Sequence, residues 1–415
     1  MALRVGEIIA IGSEMLHGGR TDTNSVRLTP MLGDAGVEVR YKTVVGDREK
    51  DIALCIKTAA ARAEVIVLTG GLGPTQDDCT RQAVARVTAR PLRLHRDALR
   101  QMEARLKQWS RTPTKLQRRQ GLIPRGAEVL ANPVGSAPGF LVRWRRCLIA
   151  ALPGVPAEAE RMCRDSLVPH LVPRTRRDER IVQRVWQTVG ATEGEIDQRL
   201  EKVLPRRSGL KRGLLASPLG VQVSLTGSGA KAEALLARWA GRIRKALGPS
   251  LYAEGEETME QVVGRLLRER KLTVALAESC TGGLIGHRLT QVPGSSAYMD
   301  RGAVCYSNRA KTEMLGVPVA LLKQHGAVSA PVAEAMAKGI RMRSRASIGL
   351  SVTGIAGPGG GTATKPVGLV YIGLSARGEK ASRTQEFRFH GSRDVIKLRA
   401  SQAALNILRK WLLAT

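Results

Sequence analysis

The stretch Ala277-Glu278-Ser279-Cys280-Thr281-Gly282-Gly283 decides how this chain is read. It follows the apolar run Leu272 to Leu276, which reads as a buried strand. It precedes Leu284-Ile285-Gly286-His287-Arg288-Leu289-Thr290, whose apolar spacing reads as a helix. A hydroxyl and a thiol therefore sit on a strand-to-helix turn, where two glycines let the backbone come close to a ligand. The helix start offers free N–H groups and a partial positive charge, which suits an anion or a developing oxyanion. In isolation Ser279 is more simply a helix cap. What argues for chemistry is the sequence that follows.

Downstream, Arg301 to Lys311 reads as a strand running into a helix, with Tyr306 and Lys311 five residues apart around the turn. Gly326-Ala327-Val328-Ser329 reads as a capped helix start, with Ser329 ahead of Pro331. Ser347 to Val352 is an apolar strand ending in the glycine loop Thr353 to Thr362. Lys365-Pro366-Val367-Gly368, a strand over Leu369 to Leu374, a strand over Gln385 to Phe389, Gly391-Ser392-Arg393 and a long last helix complete the chain. The chemical content is a hydroxyl nucleophile, Ser279, and a base, Lys311, with Tyr306 beside it. Ser with Lys is an alternative to the Ser–His–Asp arrangement for attacking an acyl centre. Lys serves only if burial or a cationic neighbour lowers its pKa. His287 is a competing base, but it stands about two turns into the helix after Ser279 and reads more simply as a surface or packing histidine. Lys311 taken alone reads as a solvated helix lysine.

Upstream, Val5 to Gly12 reads as a first strand, followed by the loop Gly12 to Gly19 and by Asp22-Thr23-Asn24-Ser25 as a helix start. Pro30 is expected to kink or shorten that helix. Val37 to Val45 and the apolar Val65 to Leu68 are the next strands, with a helix from Asp47 between them. Strands alternating with helices predict a parallel sheet covered on both faces, with ligands beyond the carboxyl ends of its strands. There lies Thr69-Gly70-Gly71-Leu72-Gly73-Pro74-Thr75-Gln76-Asp77-Asp78-Cys79-Thr80. Its glycines expose backbone N–H groups as phosphate loops do, while Asp77 and Asp78 can hold a divalent metal or cap the next helix. Taken together these residues predict a polyphosphate site. Asn132 to Phe140 and Leu152 to Glu158 read as turns. Between 171 and 255 a basic linker (Pro173 to Arg180), a helix opened at Gly190 to Ile196, a strand at Val221 to Leu225 and a helix over Ala230 to Leu247 predict a small α+β domain.

The 415 residues suffice for two or three domains, and 43% hydrophobic with 25% charged residues is a soluble globular composition. No apolar run reaches membrane-spanning length, and the start shows no signal-peptide core, so a cytoplasmic protein is expected. Six scattered cysteines without a CxxC pair argue against a structural zinc and a disulfide framework. The net charge of +30 points to nucleic acid, to anionic small molecules or to an arginine-biased surface. Aromatics at 3%, and basic residues spread along the chain with local clusters at Arg174 to Arg177 and Arg206 to Arg212, favour the last.

The motifs also carry a resemblance. Gly12 to Leu16, Asp22 to Ser25, Thr69 to Asp78, Asn132 to Phe140 and Leu152 to Pro156 resemble the CinA family (competence/damage-inducible protein A). Its N-terminal domain is similar to the molybdopterin-binding domains of molybdenum-cofactor biosynthesis. The resemblance implies a nucleotide-pyrophosphate pocket and, in some members, metal-dependent hydrolysis of ADP-ribose. Gly70, Gly71, Gly73 and Thr75 would bind substrate, and Glu14, Asp77 and Asp78 would bind a divalent metal or substrate. The middle segment resembles the KH-like domain of the family. The glycines of Gly190 to Gly194 stand one residue too far apart for an RNA-binding GxxG loop, so a spacer is expected.

Ala277 to Gly283, Pro293 to Ser296, Tyr306 to Lys311, Gly326 to Ser329, Thr353 to Pro358 and Lys365 to Gly368 resemble the C-terminal domain of the same family, a nicotinamide-nucleotide amidase. That implies hydrolysis of the carboxamide of nicotinamide mononucleotide, with Ser279 as nucleophile, Tyr306 and Lys311 as its activating pair, and Thr353 and Arg393 at the site. Thr281, Gly282 and Gly283 would hold oxyanion or phosphate through N–H groups, with Gly354 also against substrate. No cofactor is implied there.

The expectation is therefore an α/β chain in three parts: a molybdopterin-binding-like domain (1–170), a KH-like α+β domain (171–255) and an α/β amidase domain (256–415). A homodimer is expected, and neither a membrane nor sequence-specific nucleic acid as partner. A non-catalytic molybdopterin-like binding protein and a competence or DNA-associated regulator stay open as alternatives.

Overall fold

A computed structural model describes residues 4–171, 181–205, 208–229, 231–378 and 382–415. The basic linker read over Pro173 to Arg180, the Arg206-Arg207 pair and Ala230, where the amphipathic helix was expected to begin, lie outside these. Two compact units make up the chain: Met1–Val182 with Thr226–Leu235, and Gln183–Leu225 with Leu236–Thr415. Among the described residues no helix is long and apolar enough to cross a membrane.

The first unit is built on a six-stranded sheet in the order Val37–Val45, Arg4–Ile11, Val65–Thr69, Cys147–Leu152, Gly139–Trp144, Glu128–Leu130. The first four strands are parallel, and the last two run antiparallel. The three strands read from the alternation are parallel as expected; the antiparallel edge lies where the sequence reads only as turns. Trp144 pairs with Cys147 across a two-residue turn, and so short a connection makes the two strands antiparallel. Side chains alternate between two cores: Ile9, Ile11, Ile66 and Leu68 face one layer, and Ile8, Val65 and Val67 the other. Leu28 and Leu32 of the helix Thr23–Asp34 fill the second. That helix starts on Asp22, whose side chain accepts from the Ser25 N–H at 2.9 Å. It runs past Pro30 to Asp34, so Pro30 does not shorten it.

A four-stranded sheet, ordered Lys211–Ser217, Gly220–Ser228, Ile181–Thr188, Leu251–Glu254, belongs for the most part to the second unit, as do the helices Glu193–Glu201 and Ala232–Leu247. The helix Glu193–Glu201 opens with a reciprocal Thr192–Glu195 capping box, as its sequence predicts.

The same unit holds a five-stranded sheet, ordered Met299–Val304, Val274–Glu278, Ile348–Gly354, Leu369–Ala376, Arg383–Arg388. The first three strands are parallel and the last two antiparallel. Ala275 and Ala277 face the helix Ala330–Ser344 through Val332, Met336 and Ile340. Val274 and Leu276 face a larger core with Val263, Leu267, Ile396, Leu405 and Leu408 from the helices Met259–Glu269 and Arg393–Ala414. The strand Val274–Glu278 is thus central and buried on both faces. It delivers Ser279 to the carboxyl edge of the sheet, where α/β folds bind ligands.

Candidate active site

Glu278 is the last residue of its strand and is buried. Its carboxylate accepts from the N–H groups of Gly283 at 3.0 Å, Ile285 at 3.1 Å and Gly286 at 2.9 Å. It therefore caps the helix Leu284–Thr290, and the chain must double back over residues 279–283 to let it do so. Gly282 (φ 64) and Gly283 (φ 93) take the left-handed conformation that this reversal requires. Ser279 donates its N–H to Val352 O at 2.9 Å, which pins it against the neighbouring strand.

Lys311 lies on the helix Asn308–Leu315, which Ser307 caps by accepting from the Ala310 N–H. Its side chain is 1% exposed. The Nζ donates to Ser279 Oγ at 3.1 Å, to Cys305 O at 2.9 Å and to Tyr306 O at 3.2 Å. Burial pushes its pKa down, against smaller upward pulls from Cys305 and Cys280. A buried amine among neutral oxygens is pushed toward its uncharged form, the form that can accept a proton. Cys280, beside the serine, is driven the other way: burial raises its thiol to about 12, so it stays protonated. The turn therefore offers one activated nucleophile, the hydroxyl.

The remaining predicted residues divide. Thr353 is buried beside Ser279's partner Val352 and donates to Ala327 O at 2.8 Å. Gly354 ends the same strand, where a Cβ would lie 2.7 Å from Leu369 O. Arg393 donates to Gly357 O at 2.6 Å and to the Tyr306 hydroxyl at 3.0 Å. The exposed Tyr306 phenol is thus joined to Arg393, and it is the Tyr306 carbonyl that meets Lys311. The expected oxyanion donors are corrected as well. The Gly282 N–H goes to Ser279 O at 3.1 Å and that of Gly283 to Glu278. The amides of Cys280 and Thr281 make no main-chain hydrogen bond among the described residues, and Thr281 Oγ1 is buried without a partner. His287 is exposed on its helix. Ser329 precedes its helix without a side-chain cap and donates instead to Gly326 O.

In the first unit the glycine loop is closed by the protein's own groups. Thr80 Oγ1 donates to Gly70 O at 2.7 Å, and the buried Arg81 donates to Leu72 O at 2.8 Å and Gly73 O at 2.6 Å. Asp78 accepts from the Thr75 N–H and hydroxyl at 2.8 and 2.6 Å. A Cβ on Gly70 would meet Ile11 O at 2.2 Å, on Gly71 Thr80 Oγ1 at 2.3 Å and on Gly73 Asp78 Oδ2 at 2.5 Å. Glu14 and Asp77 are exposed. Among the described residues no three His, Cys, Asp or Glu side chains are gathered so that they could hold a metal ion. Glu14 instead lines a cleft of about 130 Å³ with Arg20, Asp22, Asn24, Thr69 and Gly154. Asn24 spans it, donating to Thr69 Oγ1 at 2.7 Å and Gly154 O at 2.8 Å, and its own Oδ1 is buried and unpartnered. The helix-start motif contained Asn24 but gave no sign that it reaches two other strand ends.

With the geometry in place, comparison with known proteins is decisive. A CinA-like protein from Geobacter sulfurreducens is 42% identical over 408 residues, 98% of each chain. The chain belongs to the CinA family. A second CinA-like protein, from Anaeromyxobacter sp., is 41% identical over 97% of this chain and 98% of its own. Residues 7–172 match the "Probable molybdopterin binding domain", 183–253 the damage-inducible protein CinA KH domain and 256–412 the CinA C-terminal domain. A solved competence/damage inducible protein from Agrobacterium tumefaciens is 44% identical, covering 38% of this chain and 97% of that one, with a TM-score of 0.36. Ser279, Lys311, Tyr306 and Arg393 all fall within the CinA C-terminal domain match.

Proposed function

We propose that the C-terminal part of this chain hydrolyses the carboxamide of nicotinamide mononucleotide to nicotinate mononucleotide and ammonia. The observation that carries this reading is the buried Lys311 amine, 3.1 Å from the Ser279 hydroxyl. Neutral Lys311 takes the Ser279 proton as Oγ bonds to the amide carbon, and the carbonyl electrons move onto oxygen. The Cys280 and Thr281 amides, which among the described residues face the Cys280 sulfur and no main-chain carbonyl, are the donors for that oxyanion. As the tetrahedral centre collapses, the C–N bond breaks and the Lys311 proton leaves with ammonia. Water, deprotonated by Lys311, then attacks the acyl ester, releases the carboxylate and restores Ser279. Arg393 and Tyr306 flank the mouth.

For the N-terminal part, the match of residues 7–172 to the molybdopterin-binding family supports a nucleotide pyrophosphate such as ADP-ribose as ligand, with Arg20 a cation lining the Asn24-spanned cleft. The metal does not fit the residues as placed: both Thr75 bonds fall on Asp78 Oδ2 and leave Oδ1 open, but Glu14 and Asp77 do not join Asp78 in a ligand group. No metal-dependent step is therefore derived. The division at 1–170, 171–255 and 256–415, the homodimer and the cytoplasmic location are part of the same proposal.

The test is to incubate the full chain with nicotinamide mononucleotide and, separately, with ADP-ribose, and to identify products by mass. A gain of one mass unit in the first (NH2 replaced by OH) supports the amidase. Unchanged nucleotide would leave a binding protein or a DNA-associated regulator as the better reading.

A further inference from the structure

The serine turn leaves an electrostatic question open. A nucleotide substrate carries its phosphate one ribose away from the amide that Ser279 attacks. The nearest helix start would ordinarily draw that charge, but Glu278 has already taken the N–H groups of Gly283, Ile285 and Gly286. Side chains can supply the positive charge that this helix start no longer offers.

The last helix, Arg393–Ala414, supplies two. Arg393 and Lys397 are one turn apart and share a face. Arg393 is tied to Gly357 O and the Tyr306 hydroxyl. Lys397 is half-buried, and its Nζ stands 3.8 Å from the point a Cβ on Gly282 would occupy, three residues beyond the nucleophile. Among the described residues Lys397 has no ion-pair partner. The carboxylate near Lys397 in sequence is Asp394, exposed on the helix's first turn, and the one near Gly282 is Glu278, already satisfied by three N–H groups. A half-buried ammonium without a counter-ion, held against an exposed glycine of the catalytic turn, is a receptor for an anion.

Resting on the amidase reading, we propose that Lys397, with Arg393 beside it, holds the substrate's phosphate and so makes the site select a nucleotide over its nucleoside. Gly282 is then glycine for a second reason: a side chain there would reach toward the phosphate-binding ammonium.

The experiment compares binding of nicotinamide mononucleotide and nicotinamide riboside by calorimetry. It uses the full chain carrying Ser279→Ala, which does not turn substrate over, with Lys397→Ala or Lys397→Arg added. Lys397→Ala should loosen the nucleotide by about tenfold, the worth of one charge-assisted hydrogen bond, and leave the riboside unchanged. Lys397→Arg should bind the nucleotide nearly as the parent does. Unchanged nucleotide affinity in Lys397→Ala overturns the assignment. So does equal weakening of both ligands, which marks a structural role, or a parent with no preference for the nucleotide. Failure of the wild-type chain to release ammonia would sink the amidase reading alone, because the binding comparison needs no turnover.

Discussion

Lys311 Nζ lies 3.1 Å from Ser279 Oγ, although 32 residues separate the two in sequence. The carbonyls of Cys305 and Tyr306 fix the amine at that spot. Neighbouring parallel strands bring the two turns together, and both side chains are buried there. The chemistry follows from this pairing, and so do the expectations below.

Activity should carry a basic limb. Only neutral Lys311 can take the serine proton, and its fraction grows as pH rises through its folded pKa, which burial holds below 10.5. kcat/KM should therefore climb with pH and level off at a midpoint below that value. Between the two values the unfolded chain binds the extra proton, so stability should decline as pH falls across the same window. A rate with no basic limb anywhere below pH 10.5, the acid range included, would exclude Lys311 as the base.

Cys280 should be dispensable. With its thiol raised to about 12, it is neither a thiolate nor accessible. Cys280→Ala should keep ammonia release within a few-fold of wild type, and iodoacetamide should not inactivate the native chain. Rapid inactivation by alkylation of Cys280 would show that the thiol takes part.

Glu278→Gln should harm both fold and rate. Two carboxylate oxygens serve three N–H donors, whereas an amide has one acceptor oxygen and turns an NH2 toward the other donors. The penalty should be roughly 1–3 kcal/mol per stranded donor. Differential scanning calorimetry should record a drop of several degrees, and kcat should fall more than KM rises as Ser279 shifts. Wild-type melting and kcat together would mean that the cap does not position the turn.

Tyr306→Phe separates the phenol from the backbone. The Lys311 contact uses the Tyr306 carbonyl, which the variant keeps, and loses only the hydroxyl's bond to Arg393. The fall in kcat should stay under about tenfold, the scale of one hydrogen bond. A loss as deep as that of a Lys311 variant would place the phenol in the proton path.

Local pattern made the strand-turn-helix around Ser279 legible, because a buried apolar run, a hydroxyl and a glycine pair each leave a mark over neighbouring residues. Lys311 was legible as part of a motif. What could not be read is what depends on contacts between segments. Glu278 stood in the motif with no role assigned, yet it occupies the amide that Gly283 was expected to offer. The Tyr306 phenol pairs with a residue 87 positions away, a partner no local spacing encodes. Periodicity likewise gives a strand but not its direction: Leu369 to Leu374 reads as a strand with no direction, and Gly139–Trp144 shows only through the turn at Asn132 to Phe140, so their antiparallel pairing was not legible. Glu14, Asp77 and Asp78 show the same limit: a motif names carboxylates but not their spacing in the fold, and among the described residues they are not gathered into a group of three.

The proton path is tested most directly by ammonia release from nicotinamide mononucleotide in Lys311→Met, which keeps the aliphatic bulk and removes the amine. A fall in kcat of the order of a thousandfold, with an unchanged melting curve, is predicted from the loss of a general base. A variant that folds and retains more than about a tenth of wild-type kcat, against that same expectation, would contradict the account.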